Sequence, residues 1–98
     1  MEFIFEHADE AADLLLFFNK IVLNYGCISK ADLFDYDPSL FSACAEQRNY
    51  TWNDYGWTSI SDITVEYRYI DVKYGDLLAK SRKKVFVVTL TEPIRLEL

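Results

Sequence analysis

The amino-acid sequence predicts an α+β domain, with a short N-terminal strand, two or three helices, and a C-terminal antiparallel β-hairpin. Apolar residues recur at helical spacing over residues 9–25. They alternate with polar residues over residues 62–74, and β-branched side chains are frequent over residues 85–91. A chain of 98 residues fits a single domain over residues 1–98.

The first predicted elements are a strand over residues 1–6 and a long helix over residues 9–25. Two phenylalanines fall on one face of the strand. Asp9 is expected to cap the helix, and Gly26 to end it in the left-handed conformation. Leucines outside the main apolar stripe indicate that this helix is buried on two sides or contacts a partner.

Two shorter helices are predicted next, over residues 30–36 and 38–47. Ser29 and Asp32 resemble a capping box for the first of them, with Asp in the usual Glu position. The Asp-Pro pair at residues 37–38 is typical of the N-cap and first position of a helix. Three helices followed by a hairpin is also the order of a winged helix, a nucleic-acid-binding fold.

The C-terminal half is predicted to contain two strands. Residues 48–61 hold turn formers and are expected to be irregular. In the first strand, over residues 62–74, the apolar residues stand at odd-numbered positions up to residue 69 and at even-numbered positions from residue 70. This change of face predicts a β-bulge near residues 69–70. A Gly-Asp turn and a basic run at residues 80–84 then lead to the second strand, over residues 85–91. Renewed alternation in the last residues predicts an edge segment.

The net charge of −6 comes from 16 acidic and 10 basic residues, and the acids are concentrated in the first three quarters of the chain. An acidic surface repels phosphate backbones, so nucleic acid is an unfavourable partner and a basic protein a suitable one. Charge of this size also keeps a small domain soluble, which is the simpler explanation. The basic run at residues 80–84 has two interpretations, the tip of a nucleic-acid-binding wing or a solvated loop.

Catalytic, cofactor and metal signatures are absent from the sequence. His7 stands alone, and no Gly-x-Ser-x-Gly, P-loop or dinucleotide-binding pattern occurs. Cys27 and Cys44 lack the four-ligand set of structural zinc and are expected to be reduced, buried thiols. We therefore expect no enzymatic activity, no cofactor and no metal. The acidic N-terminus is unlike a signal peptide, and no apolar run approaches the roughly 20 residues of a membrane span, so a cytoplasmic location without membrane contact is expected.

The most informative feature is an aromatic cluster in a polar stretch, at residues 50–57. Such rings are favoured anchors of protein interfaces, but in a small domain they can also cover the core. Trp57, which follows a glycine, is the one expected inside. Three aspartates within residues 32–37 can serve as caps and turns, or as an acidic contact surface. The predicted partner-binding residues are Tyr50, Trp52, Asp54, Tyr55, Asp32, Asp35 and Asp37.

Two segments resemble a group of small proteins encoded by tailed bacteriophages. They are NYGCISKADLFD at residues 24–35 and DYGWTSI at residues 54–60, which match a YGxxSxADL pattern followed by YGWT and a strand pair. The resemblance extends loosely over residues 10–72. The longer connection at residues 75–84 departs from the tight Asp-Gly hairpin of the group. The resemblance implies a phage accessory protein of no assigned activity, acting in the host cytoplasm.

Three functional hypotheses are consistent with these features. In the first, the chain binds a host or phage protein without catalysis and inhibits a host defence or nucleic-acid enzyme, by analogy with other small acidic phage proteins. In the second, it is a winged-helix nucleic-acid-binding regulator, although the predicted third helix has no Lys or Arg. In the third, it is a virion or assembly component that forms homodimers or larger homo-oligomers through its apolar first helix.

Overall fold

The computed structural model describes residues 1–44, 50–73 and 80–96, and over these ranges the chain has the predicted α+β fold. The α-helices are α1 (Ala8–Tyr25) and α2 (Lys30–Tyr36). The strands are β1 (Glu2–Phe5), β2 (Ile28–Ser29), β3 (Tyr55–Trp57), β4 (Ile63–Lys73), β5 (Lys80–Leu90) and β6 (Ile94–Arg95). Short 3-10 helices cover Pro38–Cys44, Tyr50–Asp54 and Ile60–Asp62.

Within these ranges the strands form two antiparallel sheets of three strands each. The larger sheet has the order β1-β5-β4 and the smaller one the order β2-β3-β6. The apolar face of α1 packs on the larger sheet, as expected for an amphipathic helix. The core consists of Phe3, Ala11, Leu14, Phe18, Val22, Ile28, Ala31, Leu33, Phe41, Trp52, Trp57, Ile63, Val88 and Leu90.

The two ends of α1 compare differently with the prediction. Its N-cap is His7, which makes no side-chain capping hydrogen bond, so the expectation that Asp9 caps the helix is wrong. Asp9 instead lies in the first turn, where a carboxylate favours the positive end of the helix dipole. The predicted C-terminus is confirmed, because Gly26 has φ 81° and donates its N–H to the Val22 carbonyl.

The capping box of α2 is confirmed together with the helix bounds. The Ser29 hydroxyl accepts a 3.0 Å hydrogen bond from the Asp32 N–H. The Asp32 carboxylate in turn accepts a 3.0 Å hydrogen bond from the Ser29 N–H. Two backbone donors that the helix leaves without a partner are therefore satisfied reciprocally.

The predicted third α-helix is wrong as an element type. The segment Pro38–Cys44 is a 3-10 helix, and residues 45–47 of the predicted helix lie outside the described residues. Asp37 does cap this segment, since its carboxylate accepts a 3.0 Å hydrogen bond from the Ser39 N–H. Five of the seven residues of this segment are Pro, Ser, Phe or Cys, which are weak helix formers, so local propensity favours an α-helix here only weakly. The winged-helix order therefore has no α-helix at its recognition position in the part of the chain that is described.

The β4–β5 pairing corrects two further predictions. Pairs from Ile63 with Leu90 to Lys73 with Lys80 follow one register without interruption, so the predicted β-bulge at residues 69–70 is wrong. Side chains on both faces of the ribbon are exposed there. Because neither face is buried, apolar residues need not stay on one face, and the change of face requires no bulge. The basic run at residues 80–84 lies inside β5 and not in a connecting loop. The predicted Gly-Asp turn falls outside the described residues.

Part of the larger sheet projects from the body as a two-stranded ribbon. The partner strand β1 pairs with β5 only from Phe86 to Thr89, so residues 68–73 and 80–85 pair only with each other. We call these two stretches the arm. The longest dimension of the molecule is 55 Å against 26 and 19 Å for the others. Its radius of gyration of 15.7 Å exceeds the roughly 13 Å of a compact domain of this length.

Candidate protein-binding face

Two grooves lie on either side of the Tyr36 side chain, at the C-terminal end of α2. The first, of about 600 Å³, runs between β1, α1 and the 3-10 helix that starts at Pro38. The second, of about 540 Å³, runs between α1 and α2. The first is lined by Glu2, Phe3, Ile4, Phe5, Glu10, Asp13, Leu14, Tyr36, Asp37, Ser39 and Leu40. The second is lined by Phe17, Ile21, Tyr25, Cys27, Asp32, Asp35 and Tyr36.

The lining of both grooves combines an apolar floor with carboxylates. Phenylalanine, leucine and isoleucine side chains supply the floor, and six aspartates and glutamates supply the charge. None of the described lining residues is Lys, Arg or His. A cleft lined by one sign of charge concentrates its field and attracts ligands of the opposite sign. The grooves therefore suit an apolar segment that carries positive charges.

Tyr36 separates the two grooves and is held by an aromatic contact. Its ring stacks on Phe17 with centroids 4.3 Å apart and an angle of 15° between the planes. The side chain remains 41% exposed. Partial burial, and then the carboxylates of Asp13 and Asp37, raise the pKa of the Tyr36 phenol. The hydroxyl therefore stays protonated at neutral pH and can donate a hydrogen bond to a bound segment.

The raised pKa of Tyr36 leads to a prediction about stability at high pH. A group whose folded-state pKa is raised contributes stability below its unfolded pKa, and this is lost as pH rises through the folded pKa. The difference in unfolding free energy between wild type and Tyr36→Phe should therefore be constant below about pH 9 and change above it, as pH passes the unfolded pKa of about 10 and then the raised folded pKa, with wild type losing relative stability. Denaturant titrations across this range measure it. Parallel curves for the two proteins would contradict the proposed environment of the phenol.

The aspartates of the predicted contact set are brought together by α2 and its C-cap. Asp32 and Asp35 line the second groove, and Asp37 lines the first. Asp32 and Asp37 therefore have two roles, since each caps a helix and also lines a groove. Asp35 is exposed.

The aromatic members of the predicted contact set are only in part at the surface. Trp52 is 8% exposed and packs on Phe34 and Phe41, with ring centroids 5.6 and 5.1 Å away. Trp52 therefore offers little surface to a partner, because the 3-10 helix of Tyr50–Asp54 places its ring against α2. The Lys30 ammonium lies 4.4 Å from the centre of the same ring. The prediction that Trp57 lies inside is confirmed, since it is 1% exposed.

Two further members of the predicted set, Tyr55 and Asp54, are not part of the described lining of either groove. Tyr55 is exposed and pairs with Arg95 in the smaller sheet. Asp54 is exposed, and its backbone carbonyl accepts a 2.6 Å hydrogen bond from the Leu96 N–H. The Tyr50 side chain is outside the described part. The sequence did not identify Asp13, Phe17 and Tyr36 as groove residues. The only indication was that Asp13 and Phe17 are four residues apart on α1 and so lie on the same side of the helix.

The remaining reactive or membrane-related features of the described residues are few. Cys27 has a free thiol that is partly buried in the second groove, and the Cys44 side chain lies outside the described part. Residues 1–44, 50–73 and 80–96 contain no group of three His, Cys, Asp or Glu placed to hold a metal ion. Among the described helices, none has the length and apolar character needed to cross a membrane.

Comparison with known proteins identifies no relative. No protein-family model matches the chain, and no curated protein or solved structure is significantly similar to it. The function of the two grooves is therefore inferred from their own geometry and charge.

Proposed function

We propose that this chain is a noncatalytic accessory protein that binds a protein partner through the two acidic grooves. The observation that carries the proposal is the convergence of carboxylates around apolar floors that meet at Tyr36, with no basic residue in the described lining. Five of these carboxylates remain when Glu2, which pairs with Arg68, is left aside. Deep burial of a small substrate is not required for this function. An extended or helical segment lying across both grooves would contact the apolar floors and the carboxylates at once.

The chemistry of the partner follows from this lining. A segment with Leu, Phe or Met side chains would bury them against Phe17, Ile21 and Leu40, and its Lys or Arg side chains would face Asp13, Asp35 and Asp37. Charge attraction of this kind raises the association rate and weakens as salt is added. A basic amphipathic segment of a folded protein is therefore the proposed partner class.

The resemblance to small bacteriophage proteins supports a more specific form of the proposal. A protein of this group would meet its partner in the cytoplasm of an infected bacterium, and the partner would be a host or phage protein. Enzymes that act on nucleic acids carry basic clefts for phosphate. An acidic surface can occupy such a cleft, so inhibition of a host defence or nucleic-acid enzyme is the proposed consequence of binding.

A second candidate function is an assembly component that associates with its own copies. The outer face of α1 favours it, because Leu16 and Leu23 are 66% and 72% exposed on the side away from the core. Exposed apolar residues in helical register are typical of association surfaces. Sedimentation that shows a strict monomer at high concentration would reject this candidate without affecting the first.

The groove proposal predicts that neutralising two lining carboxylates weakens partner capture. The variant is Asp13→Asn with Asp35→Asn, which leaves the capping residues Asp32 and Asp37 unchanged. Capture of any partner from infected and uninfected bacterial lysates should fall about tenfold, since each exposed charge pair contributes up to about 1 kcal/mol. Quantitative mass spectrometry of the captured proteins measures the change.

The matched control is Asp9→Asn with Glu92→Gln, which removes the same charge from exposed positions outside both grooves. A partner retained by wild type and control but lost by the groove variant supports the proposal. A partner captured equally by all three proteins assigns binding to another surface. Failure of wild type to retain any protein from either lysate would reject the proposal.

A further inference from the structure

One face of the arm is exposed, although the same face of the sheet is buried in the core of the body. Alternate residues of β4 and β5 face α1 in the body, where Ile63, Val88 and Leu90 are buried. From Tyr67, at the base of the arm, outward the same side meets solvent, and Tyr67 and Tyr69 are 60% and 55% exposed. Their rings are 6.0 Å apart and nearly perpendicular. This side therefore presents aromatic surface that no described element covers.

Two cations of β5 lie among these rings. The Lys84 ammonium is 4.5 Å from the centre of the Tyr67 ring, and the Arg82 guanidinium is 5.8 Å from that of Tyr69. We call Tyr67, Tyr69, Arg82 and Lys84 the arm face. Asp71 is the cross-strand neighbour of Arg82, but no ion pair joins them or links Lys84 to a carboxylate in the described residues.

The opposite side of the same ribbon is different. There Arg68 pairs with Glu2 and Glu66, and Lys83 pairs with Glu6 at 2.7 Å. Cations on that side are thus neutralised within the molecule. The cations of the arm face contact aromatic rings and form no ion pair within the described residues, although Asp71 lies opposite Arg82, so most of their charge is available to an external anion.

The arm has its own charge, opposite to that of the body. Its two strands, residues 68–73 and 80–85, contain six basic residues and one acid, whereas residues 1–63 contain eleven acids and three bases. Strands of six residues extend roughly 20 Å, and charges are screened over about 8–10 Å at physiological salt. The potential at the outer part of the arm is therefore set by the arm itself and not by the net charge of −6.

We propose that the arm face binds single-stranded nucleic acid, a site independent of the acidic grooves. Exposed aromatic rings interleaved with Lys and Arg are the surface on which unpaired bases stack while cations follow the phosphates. Stacking needs bases that are free of a duplex, which favours the single strand. The net acidity of the chain had indicated that nucleic acid is an unfavourable partner, but that average combines two regions of opposite charge.

The test is fluorescence anisotropy with labelled oligo-dT and oligo-rU and with a duplex of the same length, at low and physiological salt. Wild type should bind one or both single strands more tightly than the duplex and lose affinity as salt rises. The variant Arg82→Gln with Lys84→Gln should bind at least about tenfold more weakly, with a smaller salt dependence. Tyr69→Leu, which keeps an apolar side chain in the strand, should lose about tenfold through stacking.

The control variant is Lys20→Gln with Arg95→Gln, which removes two exposed positive charges outside the arm. It should bind as wild type does, and circular dichroism should show that all variants are folded. Equal affinity of the arm and control variants, tighter binding of the duplex, or no binding at low salt would each overturn the proposal. Absence of binding together with salt-sensitive self-association would assign the arm instead to the acidic body of a second copy.

Discussion

Replacing Gly56 by alanine is expected to lower the free energy of unfolding by about 3 kcal/mol or more. Gly56 lies in β3 directly opposite Ser29 of β2. An added Cβ would come within 1.9 Å of the Ile28 carbonyl oxygen and 2.7 Å of the Ser29 Cα. Both are backbone atoms, which cannot move away as a flexible side chain can. The two strands would have to separate, and denaturant unfolding monitored by tryptophan fluorescence would report the loss.

Gly26→Ala is the matched comparison for this substitution. A Cβ at Gly26 has no neighbour within 4 Å, but its φ of 81° is unfavourable for alanine. The expected loss is about 1–2 kcal/mol from backbone strain alone. If the two variants were equally stable, close approach of β2 and β3 would not be the reason for the glycine at position 56.

Truncating Trp57 to alanine is expected to lower the free energy of unfolding by about 3–5 kcal/mol. The indole is buried against Phe18, with ring centroids 6.0 Å apart. Its N–H donates a 2.7 Å hydrogen bond to the Thr91 carbonyl, which joins β3 to the segment after β5. Alanine would leave a large cavity and remove the donor of that carbonyl. Thermal and denaturant unfolding of the purified variant measure the effect.

Trp57→Phe and Leu16→Ala are the controls for this prediction. Phenylalanine keeps part of the buried ring but not the donor, so its loss should be intermediate. Leu16 is exposed on α1, and alanine there should change stability by less than about 0.5 kcal/mol. A Trp57→Ala loss as small as that of Leu16→Ala would contradict the position of the indole at the centre of the fold.

Elements specified by neighbouring residues could be predicted from the sequence. The end of α1 at Gly26 and the capping box of Ser29 and Asp32 depend on local hydrogen bonds and on one left-handed residue. The burial of Trp57 was also predictable from its place after Gly56. In each case the signal lies within a few residues of its effect.

Elements that depend on distant partners could not be predicted in the same way. The basic run at residues 80–84 is in a strand because β4 pairs with it over its whole length. Trp52 is buried because Phe34 and Phe41, from two other elements, surround it. The grooves likewise form only because α1 and α2 lie side by side. The sequence therefore gave no indication that Asp13 and Tyr36 line the same groove.

The two motifs that carry the bacteriophage resemblance are direct neighbours in the structure. Ile28 and Ser29 of the first motif pair with Trp57 and Gly56 of the second. Their glycines, capping residues and indole all have roles in folding. The residues of both motifs therefore belong to the framework of this fold, and the arm lies outside them.

The separation of an acidic body from a basic ribbon makes the molecule a permanent electric dipole. In the field of a negatively charged polymer it turns so that the ribbon leads, and in the field of a positively charged protein it turns the other way. Each encounter therefore begins with the molecule already oriented. One small chain can in this way meet ligands of opposite charge through different parts of its surface.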